Sequence, residues 1–523
     1  MKRLFITVIV GFSVVLAIQS QNIVKGYVYE DINHNLKKER SEKGIPKVAV
    51  SNGLDVVLTD EKGYYELTVG DDNIIFVIKP SGYELPLNEY NQPQFYYIHK
   101  PNGSPESYKY KGLVSTGPLP KSVNFGLLPV EQKNVFTSLI YGDPQPYNDK
   151  EIDYFRRGIV EETKRLKNLS FGLTLGDLVG DTLDLHKSYI GAVKENGLPW
   201  FNVMGNHDMN YEAVADSLSD ETFEANFGPT TYAFNYGKAH FIIMDDIIYP
   251  DPRDNNGYWG GFRPSQLEFL KNDLKYVDKD QLIVIAFHIP LFNENGDTFR
   301  DTDRKQLFNL LHDYPNALLL SAHTHYQMHY FHGKDDSCLR PQPIHEYNVG
   351  TTSGDWYSGA LNAQGIPVST MRDGTPKGYL LLNIDGNKYT LDYRVAGKPV
   401  DYQIAVYTPR VLKRNKRTSA SIYANFFIGY ENDKVEYRVD NGEWKTMQRI
   451  KEIDPDLMRT VQDFDYETTV IPGKRPSNPV QCTHLWNATI PTNLSAGNHT
   501  VEVKATDMFG RAHFQTTTYR LEE

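Results

Sequence analysis

Residues Phe171-Gly172-Leu173-Thr174-Leu175-Gly176-Asp177-Leu178-Val179-Gly180-Asp181 decide the fold. Phe171 to Leu175 reads as a short apolar strand, and Gly176 lets the backbone turn so that Asp177 stands just past the strand's carboxyl end. The same pattern recurs along the chain. Phe136 to Tyr141 runs into Gly142-Asp143-Pro144-Gln145, and Trp200 to Met204 into Gly205-Asn206-His207-Asp208. Leu282 to Phe287 ends in His288-Ile289-Pro290, and Ala317 to Leu320 leads to Ala322-His323-Thr324-His325. Helical periodicity over Glu151 to Asn168, Pro264 to Val277 and Arg304 to His312 separates these strands, which is the α/β layout. In open α/β sheets ligand sites form beyond the carboxyl ends of the strands, so the five loops are expected to share one end of one sheet.

Outward from this core the pattern changes. Residues 21–130 carry short alternating strands with turn signals, such as Ile23 to Tyr29, Val48 to Val50, and Val56 to Thr59 before Asp60-Glu61-Lys62-Gly63. They read as a small β-sandwich. The α/β zone occupies 131–398, and alternation returns over 399–523, as in Val435 to Val439 and His499 to Ala505, predicting a second β-sandwich. At the start, Lys2 and Arg3 precede an apolar run from Leu4 to Ile18 that ends at Ser20, the pattern of a signal peptide over residues 1–20. It predicts export to a periplasm or the extracellular space. The run falls short of the ~20 apolar residues that span a bilayer, and no later segment approaches that length.

Length and charge narrow the classes further. The 523 residues are too many for one domain. The 66 acidic residues outnumber the 55 Lys and Arg, a net charge of −11 that argues against nucleic acid as a partner. Mean hydropathy is −0.50, which suits soluble globular chains. Two cysteines, Cys338 and Cys482, exclude a thiolate metal cluster and leave one bridge open. The loop donors are Asp, Asn and Gln oxygens and His nitrogens, which Mn, Fe, Zn or Mg ions accept, and they suffice for two ions.

In order and local context these motifs resemble the calcineurin-like metallophosphoesterase superfamily from about Lys133 to Tyr393. Tyr232-Ala233-Phe234 leading into His240 to Asp245, and the Gln266 to Leu270 helix, resemble its linking segments. The three-part layout is similar to exported bacterial members with an N-terminal and a C-terminal β-domain. The resemblance implies a multidomain chain in which a central α/β metallophosphoesterase domain, a βαββαβ-type sandwich of two sheets flanked by helices, lies between two small β-sandwich domains. It implies that Asp143, Gln145, Asp177 and His325 surround one metal, that Asp177, Asn206, His288 and His323 surround the other, and that a hydroxide bridging two ions attacks phosphorus. His207 would then stabilise the phosphoryl oxygens or protonate the leaving group, Asp208 would orient its ring, and Asp181 would lie outside the ligand set. Two departures matter. Gln145 replaces the superfamily's usual His, which favours Mn or Mg at that position. No Tyr follows Asp177 at the spacing of iron-tyrosinate phosphatases.

Four residues are candidates for the substrate wall: Trp356 and Asp373 in polar-aromatic loops after the last motif, and Trp259 and Arg263 ahead of the Pro264 helix. The substrate class expected is a small-molecule or envelope-derived phosphomonoester or phosphodiester. In the N-terminal zone Asp31, Asn33, Asn35, Glu39 and Glu42 occupy relative positions 1, 3, 5, 9 and 12 of an EF-type calcium loop, with Leu36 where that loop wants Gly. The surrounding text resembles transthyretin-like B repeats. A non-catalytic, envelope-glycan or partner-binding protein with a vestigial metal centre is the competing reading, and a decayed centre should have lost at least one of Asp177, Asn206, His288 or His323. None is lost.

Overall fold

The computed structural model describes residues 22–131, 133–292 and 297–523; the leader-like stretch 1–20 lies outside the described residues. Two sheets form the centre. The first runs Trp200–Val203, Leu169–Leu175, Val135–Tyr141, Gly378–Asp385, Lys388–Val395, the first three parallel and the last two antiparallel. The second runs Tyr232–Tyr236, Ala239–Ile243, Leu282–Ala286, Ala317–Ser321, Ile344–Asn348, Met328–His332, with four parallel strands inside two antiparallel edges. Near-continuous apolar runs such as Leu282–Ala286 and Ala317–Ser321 are buried along their whole length, as strands covered on both faces must be.

An aromatic seam joins the sheets. Phe171 of the first meets Phe234 and Phe241 of the second at 5.4 and 5.2 Å, and Phe201 stacks on Phe234 at 4.1 Å. Such pairs contribute about 0.5–1.5 kcal/mol each beyond area burial, so the seam fixes how the two sheets are offset. The five motif loops therefore do not share one sheet as expected. Asp143, Asp177 and Asn206 follow strands of the first, His288 and His323 follow strands of the second, and the site lies where the two rows of carboxyl ends meet.

Helices Pro264–Leu274 and Asp301–Leu310 lie within or beside the expected spans. The expected 151–168 helix is broken: Asp149–Phe155 passes into a π-turn at Arg156–Val160 and ends at Thr163. A π-turn widens the helix by one residue per turn and uses up the periodicity that suggested a longer element. Asn168 then takes a left-handed conformation at φ 61° and starts the next strand.

On the N-terminal side, Asn22–Glu30 pairs with Tyr64–Val69 and Phe125–Pro129 in one sheet, and Ala49–Ser51 with Val56–Leu58 and Asn73–Val77 in another. These sheets pack on the centre through Phe76 against Phe269 and through a buried Lys100–Glu221 ion pair of 2.6 Å. The C-terminal sheets enclose a core of their own around Ile422, Phe426, Trp486, Val501 and Leu521. They also carry a helix, Pro455–Tyr466, capped by the Asp454 carboxylate. One segment of that module reaches back, and Gly473 and Lys474 pair with Ala360 and Gly359. Cys338 and Cys482 are both buried and free, so the bridge left open by the sequence is not formed. Among the described residues no helix is long and apolar enough to cross a membrane.

Candidate metal centre

The donors sit on left-handed turns. Asp143 (φ 35°), Gln145 (42°), Asp177 (49°), His323 (70°) and His325 (55°) all occupy a region that non-glycine residues avoid at a cost of about 1–3 kcal/mol each. Their surroundings over-determine these conformations. Gln145 N donates to Asp177 O at 2.9 Å, Ser353 Oγ to Asp143 O at 2.7 Å, and the Tyr357 hydroxyl to Pro144 O. His323 N donates to both oxygens of Asp143 at 3.1 Å, tying the first motif to the last across 180 residues.

Four side chains close one pocket. His288 Nε2 lies 3.3 Å from Asp177 Oδ1, 3.1 Å from Asn206 Oδ1 and 3.1 Å from His323 Nδ1. Its Nδ1 faces Leu175 O at 2.8 Å; a carbonyl only accepts, so Nδ1 carries the proton and Nε2 is presented inward. Donors about 2.1 Å from a tetrahedral cation stand roughly 3.4 Å apart, which these spacings match. Asp177, His288 and His323 form, among the described residues, the one group of three or more His, Cys, Asp or Glu side chains close enough to hold an ion. Beside it His325 turns Nδ1 to Gly354 O at 2.8 Å and Nε2 to Gln145 Oε1 at 2.9 Å and Asp143 Oδ1 at 3.9 Å. The chain thus gathers Asp143, Gln145 and His325 as a second donor set adjoining the first.

Charge in this pocket is tightly coupled. Burial pushes Asp143 up to about 8. Burial also opposes the Asp177 carboxylate, yet His288 and His207 outweigh it and hold Asp177 below the usual carboxylate range. His288 is driven the other way: burial lowers it, Asp177 prevails and carries it to about 10, while His323 and His325 are pushed down to about 3 and 4 by burial. Buried carboxylate and amide oxygens beside imidazole nitrogens are donors that together suit a cation, so the donor set fits one.

His207 stands at the mouth. Its Nδ1 meets Asp181 Oδ1 at 2.7 Å and its backbone N donates to Asp177 Oδ1 at 3.0 Å. Burial lowers its pKa, but Asp177 and Asp181 together raise it to about 9, so the ring is cationic at neutral pH. The expected partner Asp208 is not the one. Asp208 is fully buried behind the turn, where its carboxylate accepts Gly205 N (2.9 Å), Leu178 N (3.1 Å) and Val179 N (3.3 Å) and meets His186 Nε2 (3.2 Å). A carboxylate two positions into the turn points back under the loop, so Asp208 scaffolds two motifs and Asp181 takes the role of orienting His207.

The donors floor a cleft of about 450 Å³ whose walls include Tyr258, Trp356 and Arg372. Trp356 is where the sequence put it, stacked on His325 at 4.0 Å. The other three wall candidates are elsewhere. Asp373 is buried and its carboxylate accepts Gln327 N, Thr375 N and His484 Nε2. Arg263 is held by Asp216, Asp220 and Asp245 beneath the N-terminal module. Trp259 donates to Asp297 O with Arg253 on its ring at 4.0 Å, and its neighbour Tyr258 is the residue that reaches the cleft. Tyr258 precedes the short strand Trp259–Gly260, so the candidate was misplaced by one residue.

The 31–42 loop does not gather its carboxylates. Asp31 accepts Asn35 N and Leu36 N, Asn33 Oδ1 accepts Asn35 N, Glu39 accepts from Asn35 Nδ2, and Glu42 accepts Glu39 N. Asp31, Glu39 and Glu42 form no group of the close spacing seen at Asp177. Leu36 takes the left-handed conformation (φ 60°) that the loop assigns to glycine, and these side chains build a turn.

Three residues escaped the sequence reading. Asp246 is buried and accepts His288 N (3.1 Å) and Ile289 N (2.9 Å), aiming His288. Its signal was present, since Ala239–Ile243 is a further apolar strand ending in acid, Met244-Asp245-Asp246. Tyr258 and Arg372 carried none beyond lying in polar-aromatic loops.

Comparison with known proteins adds three family matches: calcineurin-like phosphoesterase over residues 136–327, the N terminal of calcineurin-like phosphoesterase over 32–113, and the C terminal of calcineurin-like phosphoesterase over 346–513. No curated protein matches the chain. Similar solved structures include purple acid phosphatase PPD1 from seeds of yellow lupin, Lupinus luteus (13% identity, 72% of this chain and 67% of that one, TM-score 0.36). The anchor in the inner membrane complex of Plasmodium is another (17% identity, 51% and 86%, TM-score 0.32). A third is a cold-active protein-tyrosine phosphatase of a psychrophilic Shewanella (11% identity, 66% and 98%, TM-score 0.22).

Proposed function

The chain belongs to the calcineurin-like phosphoesterase family, and from that premise we propose that it is a metal-dependent hydrolase of phosphoric esters working through two divalent ions. The observation that carries the reading is the convergence of Asp177 Oδ1, Asn206 Oδ1 and His323 Nδ1 to within 3.3 Å of His288 Nε2, with Asp143, Gln145 and His325 alongside. Two ions there would supply Lewis acidity to the phosphoryl oxygens and activate water at neutral pH. The first four side chains would hold one ion, and Asp143, Gln145 and His325 the other, with Asp177 between them. His207, held cationic by Asp177 and Asp181, is placed at the mouth to stabilise phosphoryl oxygens or to pass its proton to the leaving oxygen. Asp246 and Leu175 O fix the orientation of His288, and Gly354 O that of His325, so little reorganisation is required when ester binds.

The test uses the purified protein, stripped of metal and resupplied with Mn²⁺, Zn²⁺ or Mg²⁺, on 4-nitrophenyl phosphate and bis(4-nitrophenyl) phosphate. Metal-dependent release from the first marks a monoesterase and from the second a diesterase. Failure to bind any of the three ions refutes the reading. We further propose that the protein is exported, on the basis of Lys2, Arg3 and the Leu4 to Ile18 run; a mature protein beginning near Gln21 outside the cytoplasm is the expected result of N-terminal sequencing.

A further inference from the structure

Arg372 lines the cleft with nothing to hold. Among the described residues its guanidinium makes no hydrogen bond and no ion pair, and its Nε is buried without a partner. Other arginines near the centre are occupied: Arg263 by Asp216, Asp220 and Asp245, Arg300 by Asp303, Arg253 by Asp251. A guanidinium stays charged at every working pH and offers a fork of donors matched to an oxyanion. Leaving a partly buried one unmatched is costly unless a ligand supplies the acceptors.

The backbone under Arg372 is locked. Its N–H donates to His325 O at 3.2 Å, and its carbonyl accepts Val480 N at 2.9 Å. Next to it the Asp373 carboxylate accepts Gln327 N (2.8 Å) and Thr375 N (2.9 Å) and meets His484 Nε2 (2.9 Å), while Asn425 Oδ1 meets His484 Nδ1 (2.8 Å). Val480, His484 and Asn425 all belong to the C-terminal module. That module also braces the Trp356 loop, where Ser477 N donates to Asp355 Oδ2 at 2.6 Å and Trp356 and Tyr357 hold left-handed backbones at 47° and 54°. The cleft's free cation and its stacked indole are thus held in place before any substrate arrives.

Position supplies the chemistry. His207 stands on the flank of Asp177, to which its N–H is bonded, whereas Arg372 stands on the flank of His325, to which its N–H is bonded. The donor set and His207 take up one flank, and the unpartnered Arg372 guanidinium, charged at every working pH, is left on another for a second anionic group. Building on the phosphoesterase reading above, we propose that the site takes a phosphoester carrying a second oxyanion, phosphate or carboxylate, and that Arg372 anchors that second group.

The experiment compares ethyl phosphate, phosphoglycolate and propane-1,3-diol bisphosphate on the metal-loaded protein, wild type, R372Q and R372K, reading phosphate release. The expected result is a kcat/KM at least tenfold higher for one or both two-anion substrates than for ethyl phosphate, the gain lying in KM. Phosphoglycolate preference assigns a carboxylate and bisphosphate preference a phosphate. R372Q should erase about tenfold of that preference, and R372K should keep part of it because charge persists without the fork. No preference in wild type, or an equal loss on all three substrates in R372Q, overturns the proposal. If wild type hydrolyses none of them, hydrolysis of 4-nitrophenyl phosphate and bis(4-nitrophenyl) phosphate reports separately whether the phosphoesterase reading holds. Calorimetric binding of pyrophosphate against inorganic phosphate then decides: a loss in R372Q confined to pyrophosphate supports the anchor, and equal losses reject it.

Discussion

Gly176→Ala is a perturbation with a calculable site of action. Gly176 has φ +91°, and a Cβ built there would lie 2.4 Å from His288 Nδ1 and 2.8 Å from its Cγ. Neither the backbone nor the ring can accept this. A left-handed alanine costs about 1–2 kcal/mol. The ring must also swing off Leu175 O, losing a 2.8 Å hydrogen bond whose net contribution is about 0.5–1.5 kcal/mol. Together that is roughly 1.5–3.5 kcal/mol of stability. The loss of the Nδ1 contact also releases the orientation of Nε2, and removing such an orienting partner lowers metal affinity about 10–100-fold. The expected result is a folded protein with a lowered Tm that binds one ion normally and the other 10–100-fold more weakly, measured by competition with a chelator and by elemental analysis after dialysis. Two ions retained at wild-type affinity with wild-type turnover would refute the placement of His288 in the centre, since the ring could not then be where these distances put it.

Further expectations follow from the same geometry. Asp177→Asn and His323→Ala should lose bound metal and turnover together, whereas His207→Ala should keep metal and lose turnover about 10²–10⁴-fold; equal metal content and activity in all three would contradict the assignments. Asp208→Ala should act on stability first, by about 3–5 kcal/mol, because it strands buried N–H groups of Leu178, Val179 and Gly205; an unchanged Tm would restore it to the role of orienting His207. Lys79 is buried against Tyr236, and burial pushes it down to about 7 from 10.5. As pH falls from about 10 to 7 the unfolded chain takes up a proton that the folded chain does not, so stability falls by up to about 5 kcal/mol and is then level below pH 7. Lys79→Met should therefore raise Tm more at pH 7 than at pH 10, and a gain independent of pH would refute the argument.

Different parts of the site were legible to different degrees. Ligands were readable because each follows an apolar strand, and a short apolar run bounded by turn residues marks a buried strand. Their partition between two sheets was not, because strand order is set by long-range pairings such as Leu318 with His345 and Leu139 with Leu381, which leave no local trace. The scaffold behind the ligands was misread where two acids competed for one role. Asp208 is adjacent in sequence to His207, but a carboxylate inside a tight turn reaches the turn's own N–H groups first, and the partner came from Asp181, 26 residues earlier. The substrate wall was the least legible. Trp356 announced itself by its neighbours' polarity, whereas what singles out Arg372 is a partly buried guanidinium in the cleft without a partner, a property of the whole fold and of no residue window. Asp373, one position along, was chosen from the same loop and proved to be the strut. The C-terminal module's part in this was hidden for the same reason: Val480 and His484 act on the cleft through a backbone carbonyl and a buried carboxylate respectively, contacts whose sequence separations are 108 and 111 residues. Strut and anchor are adjacent because a loop that is to present a cation on one face must be gripped on the other, so the buried acid beside an unpaired arginine is itself the mark of a preorganised wall.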